Sequence, residues 1–66
     1  MVGKVKWFNN HRGIGFIIES ETKKEYFVHY SAISGDGFKT LKAEDEVSFD
    51  IGSNSNGECA VNVRSI

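Results

Sequence analysis

The sequence has no proline, a single cysteine, a single methionine and a single tryptophan in 66 residues. Without proline, its turns must be made by Gly, Asn, Asp and Ser. One cysteine, Cys59, excludes an intrachain disulfide. Cys59, His11 and His29 do not stand at zinc-ligand spacings, so neither a metal site nor any other cofactor is expected. No run of 18 apolar residues occurs, which excludes a membrane-spanning helix. The opening Met1-Val2-Gly3-Lys4 lacks the apolar stretch of a secretion signal. A free thiol with no such signal fits a reducing compartment, and the expected location is the cytoplasm. A chain this short buries only about 60% of its unfolded surface. One domain over residues 1–66, held by packing alone and acting as a monomer, is the expectation.

The net charge of −1 hides an uneven distribution. Residues 1–33 carry five cations (Lys4, Lys6, Arg12, Lys23, Lys24) against three acids, a balance of +2. Residues 34–66 carry three cations against six acids, a balance of −3. The first 18 residues hold Lys4, Lys6 and Arg12 and no acid. A phosphate responds to that local field rather than to the total.

Apolar residues recur with a period of two. Ile14, Phe16 and Ile18 form one such row, Tyr26, Val28 and Tyr30 a second, Val47, Phe49 and Ile51 a third, and Cys59, Val61 and Val63 a fourth. With Lys4 to Phe8 these make five candidate strands. Turn residues separate them at Asn9–Gly13, Ser20–Lys24, Ser34–Gly37 and Gly52–Gly57. The connection from Ser31 to about Asp45 is too long for a hairpin and leaves room for a 3₁₀ turn or a crossing between parts of the sheet. No segment keeps a 3.6-residue apolar stripe. An all-β barrel, closed or nearly so, follows, because short strands with one buried face need closure to hide their edges. Val5, Phe8, Ile17, Val28, Val47, Phe49 and Ile51 form the expected core. Cys59 is expected to pack beside Val61 and Val63, and Glu44-Asp45-Glu46 to be a solvated turn.

Ile17 and Val28 suffice for the inner side of the second and third strands. Phe16, Phe27 and His29 then face outward, with Ile14 and Ile18 beside Phe16. A barrel of this size cannot bury both faces of its sheet, so outward rings are a functional patch or a liability. Trp7 and Phe8 are neighbours on a strand, so alternation leaves one of them outside. Unpaired nucleic acid is bound by cations that neutralise phosphate and by rings that stack on bases, worth about 1–3 kcal/mol per base. Lys6-Trp7, Arg12-Gly13-Ile14-Gly15-Phe16 and Phe27-Val28-His29-Tyr30 bring both together. Gly13 and Gly15 permit the turn into the strand and are expected to leave a floor free of side chains on which a base can lie.

These segments, with Ser31-Ala32-Ile33, Gly37-Phe38-Lys39-Thr40-Leu41 and Ala60-Val61-Asn62-Val63, resemble the bacterial cold-shock proteins from Gly3 to about Val63. The resemblance implies a cold-shock domain folded as a five-stranded antiparallel barrel of the OB-fold type. It implies a partner as well, single-stranded RNA or DNA, and a role in keeping transcripts unstructured. Carried over position by position, Lys6 and Trp7 contact backbone and base. Phe16, Phe27, His29 and Tyr30 form the stacking platform, Arg12 sits at its lip, and Phe38 stacks a base at one end. That Lys6 and Trp7 both contribute implies an irregularity in the first strand. Two positions depart from the pattern. Ile14 stands where the family usually has an aromatic, so it offers apolar area without a π-face. Glu58 follows Gly57 where the family often has proline, and an acid there repels phosphate.

Two other classes compete. A small protein-interaction barrel could use the same aromatic patch, but it would want acids around a proline-binding groove, and here Lys4, Lys6 and Arg12 flank the rings. A hydrolase or nuclease would need paired carboxylates, a metal constellation or a nucleophile beside a base. None is readable, and no serine, carboxylate or cysteine stands in an evident relation to His29. The expectation is therefore no enzyme and no small-molecule substrate. His11, in a polar turn, is expected to be solvated.

Overall fold

The computed structural model describes residues 1–34, 41–54 and 57–66. Five strands, β1 (Val2–Asn9), β2 (Ile14–Glu19), β3 (Glu25–His29), β4 (Glu46–Asn54) and β5 (Gly57–Ser65), close into a barrel in the order β1-β2-β3-β5-β4. A 3₁₀ turn, Tyr30–Ala32, follows β3 at the start of the long connection. The first three strands form an antiparallel meander because their connections are tight. Between β1 and β2, the Asn9 side-chain oxygen accepts the amides of His11 (2.9 Å) and Arg12 (3.1 Å), and the Asn9 carbonyl accepts that of Gly13 (2.7 Å). This local bonding is how asparagine replaces a helix or sheet ladder with a turn.

Contrary to the antiparallel barrel that the resemblance implies, the pairing is mixed. β3 and β5 run parallel, joined at Phe27–Cys59, and Ile33 bridges Val63 in the same sense. The long connection after β3 places β4 beside β1. β5 then returns along β4 and closes the remaining gap running the same way as β3. A parallel pair needs such a crossover, and no hairpin signal announces it.

The core contains Val5, Ile17, Tyr26, Val28, Ile33, Leu41, Val47, Phe49, Ala60 and Val63. Phe8 is half-buried and packs against it. Ile51, expected inside, is 39% exposed. β1 pairs with β4 only over Glu46–Ser48, so at Ile51 the strand has β5 alone as its neighbour among the pairings described. The expected row Cys59-Val61-Val63 is also broken. Ser48 pairs with Arg64 but Asp50 with Val61, so β5 carries one extra residue, and Asn62 sits there at φ 51°. That bulge changes the phase of the strand. Ala60 and Val63 face the core, while Cys59 and Val61 are half-buried on the other side.

The acidic turn does more than face solvent. The amide of Glu44 donates to the Val5 carbonyl (2.6 Å), and the Val5 amide donates to that of Asp45 (2.9 Å). Glu19, only 5% exposed, accepts the amides of Glu21 and Thr22 and so fixes the β2–β3 turn. A buried carboxylate is tolerable where charge-assisted hydrogen bonds replace water.

Candidate nucleic-acid interface

The register of β1, β2 and β3 places three rings in one line across the sheet: Trp7 pairs with Phe16, and Phe16 with Phe27. Ring centroids lie 5.5 Å apart for Trp7–Phe16 and 5.8 Å for Phe16–Phe27, with planes inclined at 55° and 76°. These tilted and edge-on geometries are the favourable ones for aromatic pairs. Trp7 is 39% exposed, and Phe16 and Phe27 are half-buried. Alternation alone would not put Trp7 on this face. Val5 pairs with Ile17 and Trp7 with Phe16, so Lys6 is an extra residue and both Lys6 and Trp7 are exposed. This is the irregularity that the resemblance implied.

Two residues along, Ile14 pairs with His29, and both are half-buried. Strict alternation would send Tyr30 inward with Tyr26 and Val28. The strand ends at His29, however, and the 3₁₀ turn leaves Tyr30 48% exposed, its ring 4.4 Å from that of His29. Arg12 is exposed in the β1–β2 turn. The structure thus brings Lys6, Trp7, Ile14, Phe16, Phe27, His29 and Tyr30 onto one surface spanning β1 to the 3₁₀ turn. Phe38, and Lys39 beside it, lie outside the described residues.

The glycines do not leave an open floor. Gly13 has φ +70°, and a β-carbon there would lie 2.6 Å from the Tyr30 ring. A β-carbon on Gly15 would overlap the Trp7 carbonyl and the Phe8 ring. The space is occupied by the protein's own rings and backbone. Gly13 is needed for the turn and for seating Tyr30, and Gly15 for the close approach of β1 and β2.

The electrostatics of the face are partly self-compensated. Lys6 Nζ lies 3.1 Å from Glu25 Oε2, and Lys24 Nζ lies 2.9 Å from Glu58 Oε1. Both pairs are exposed, and such pairs contribute about 0–1 kcal/mol. The hydrogen bond and charge of Glu58 hold the Lys24 ammonium above its ordinary range. Glu58 therefore faces a cation, and its repulsion of phosphate is reduced accordingly. Glu25 was overlooked as a member of this face, although period two from Phe27 and His29 places it there.

Sequence reasoning also missed a partner of His29. Nδ1 of His29 lies 2.8 Å from Oγ of Ser31 and accepts the Ser31 amide at 3.2 Å. A residue two positions on becomes a partner only because the chain turns at Tyr30. Cys59, paired across the β3–β5 seam with Phe27, lines with His29 and Ser31 a hollow of about 140 Å³.

Comparison with known proteins matches the whole of residues 1–66 to the 'Cold-shock' DNA-binding domain. The chain belongs to the cold-shock domain family. Curated relatives include "Cold shock-like protein CspB" of Bacillus cereus, 56% identical over 63 residues, which covers 96% of this chain and 95% of that protein. "Cold shock-like protein CspD" of the same organism is 57% identical over 92% of this chain and 91% of its own length. "Cold shock-like protein CspC" of Escherichia coli (strain K12) is 50% identical over 97% and 93%. The closed five-stranded barrel is consistent with the OB-fold type that the resemblance implied. Cold-shock domains are nucleic-acid-binding rather than catalytic modules.

Ile14 gives a direct way to probe this face. Ile14→Phe adds a ring beside His29, on the row next to Phe16. It should tighten oligothymidine binding by about 1 kcal/mol, the low end of a stacking contact because the apolar area of isoleucine is given up in exchange. Fluorescence titration measures it. Unchanged or weaker binding would place Ile14 away from the bases.

Proposed function

We propose that this protein binds single-stranded RNA and DNA by stacking unpaired bases on Trp7, Phe16, Phe27, His29 and Tyr30, and that it thereby keeps transcripts unstructured. Each stacked base is one fewer available for pairing, so neither hydrolysis nor ATP is required. Acting as a cytoplasmic monomer, the protein would matter most where RNA hairpins are most stable. The observation that carries this reading is the line of partly exposed rings Trp7–Phe16–Phe27 on the outside of a very small barrel. Lys6 and Arg12, with Lys4 and Lys39, would meet the phosphates, and Phe38 would stack a base at one end. The contacts are mainly base faces and phosphates, so RNA and DNA should bind with similar affinity.

Salt tests the balance between stacking and charge. Neutralising about two to four phosphates, at roughly 0.7 per contact on a single strand, gives a slope of about −1.5 to −3 for log K against log salt. Lys6 exchanges Glu25 for phosphate rather than gaining a partner outright, which favours the shallow end. Titrations with an oligothymidine over a range of salt concentrations measure the slope. A value steeper than about −5 would make electrostatics, not stacking, the main force.

A further inference from the structure

His29 closes β3 and caps the 3₁₀ turn, accepting the backbone amide of Ser31 at Nδ1 (3.2 Å). A backbone amide can only donate, so Nδ1 must carry a lone pair, and the neutral ring then bears its proton on Nε2. The Ser31 hydroxyl, 2.8 Å from the same Nδ1, must also donate. Two donors from one residue thus converge on one lone pair. The ring also lies against that of Tyr30, 4.4 Å away and inclined at 38°, and His29 pairs with Ile14 across the sheet. Its titratable neighbours are the phenol of Tyr30 and the thiol of Cys59, which lines the same hollow.

We propose that Ser31 is a positioning residue, which locks His29 as an Nε2–H donor so that the platform makes one directional hydrogen bond to an acceptor on the bound strand. The inference rests on the nucleic-acid reading above and adds a directional contact to a surface otherwise governed by stacking, which every base satisfies. A fixed tautomer matters because a ring free to exchange its proton could present either a donor or a lone pair to the ligand. The acceptor is a base carbonyl or ring nitrogen, or a phosphate oxygen.

Nitrogen-15 NMR of the free protein reads the tautomer directly. The wild type should show a protonated Nε2 and an unprotonated Nδ1, and Ser31→Ala, which keeps the longer amide contact but loses the shorter hydroxyl one, should shift part of the way toward the mixture of an unrestrained histidine. Ser31→Ala should weaken oligothymidine binding about two- to tenfold, the net worth of one hydrogen bond, and Ser31→Thr, which keeps the hydroxyl, should restore both readouts. Oligothymidines carrying one abasic site at successive positions separate the two acceptors. A difference between wild type and Ser31→Ala that vanishes at one abasic position identifies the base, and one that persists at every position identifies the phosphate. A wild-type His29 protonated on Nδ1, or Ser31→Ala with unaltered tautomer and affinity, would overturn the proposal. Failure of the wild type to bind oligothymidine would instead remove the functional reading, while the tautomer measurement would still decide whether Ser31 locks the ring.

Discussion

Phe49→Ala should lower the unfolding free energy by about 3–5 kcal/mol, the usual cost of truncating a fully buried phenylalanine. The ring is almost wholly enclosed, lies 5.6 Å from that of Tyr26, and belongs to the strand that joins β1 to β5. A chain of 66 residues has about 3–10 kcal/mol of stability in all. No disulfide can offset the loss, because Cys59 is the only cysteine. A urea melt at room temperature should therefore show little or no folded baseline. A loss below about 1.5 kcal/mol would mean that neighbouring strands collapse into the cavity and that Phe49 is not central to the core.

Phe27→Ala should behave in the opposite way. Its ring is half-buried on the outer face, edge-on to Phe16, and pairs across the seam with Cys59. Removing it should cost about 1–3 kcal/mol in oligothymidine binding. The change in folding should stay well short of that for Phe49→Ala, because the ring covers the core from outside rather than filling it. Val28, the next residue, is fully buried and faces inward. Val28→Ala should destabilise the fold by about 2 kcal/mol through lost burial, with binding reduced only in proportion to the unfolded fraction. Titration and urea melt on the same variants separate the two faces of one strand. If Phe27→Ala unfolds as badly as Phe49→Ala while its folded fraction binds normally, the platform is core and not interface.

The faces of β2 and β3 were legible in the sequence because both strands keep strict alternation. Ile17 and Val28 fill the interior, and Phe16, Phe27 and His29 follow on the outside without further information. Legibility fails where the period is broken. The extra residue at Lys6 puts Trp7 outside, which followed from the family resemblance and not from the pattern. The extra residue at Asn62 reverses the faces of β5, so that Ala60 rather than Cys59 enters the core. The β3–β5 seam was illegible for another reason. A parallel contact between residues 32 apart leaves no local trace, unlike a tight hairpin turn. The ion pairs of Lys6 with Glu25 and Lys24 with Glu58 are likewise products of register and closure. Gly15 shows the limit of reasoning from residue type alone. Its missing side chain was rightly singled out, but the room it provides is used by Trp7 and Phe8.

Trp7 offers the most direct measurement, since it is the only tryptophan, is 39% exposed and begins the line of rings. Its fluorescence should be quenched on titration with an oligothymidine and remain nearly unchanged with a duplex of equal length, because pairing hides the base faces on which stacking depends. Equal affinity for the duplex, or binding of the single strand that leaves Trp7 unaffected, would contradict an interface built on these rings.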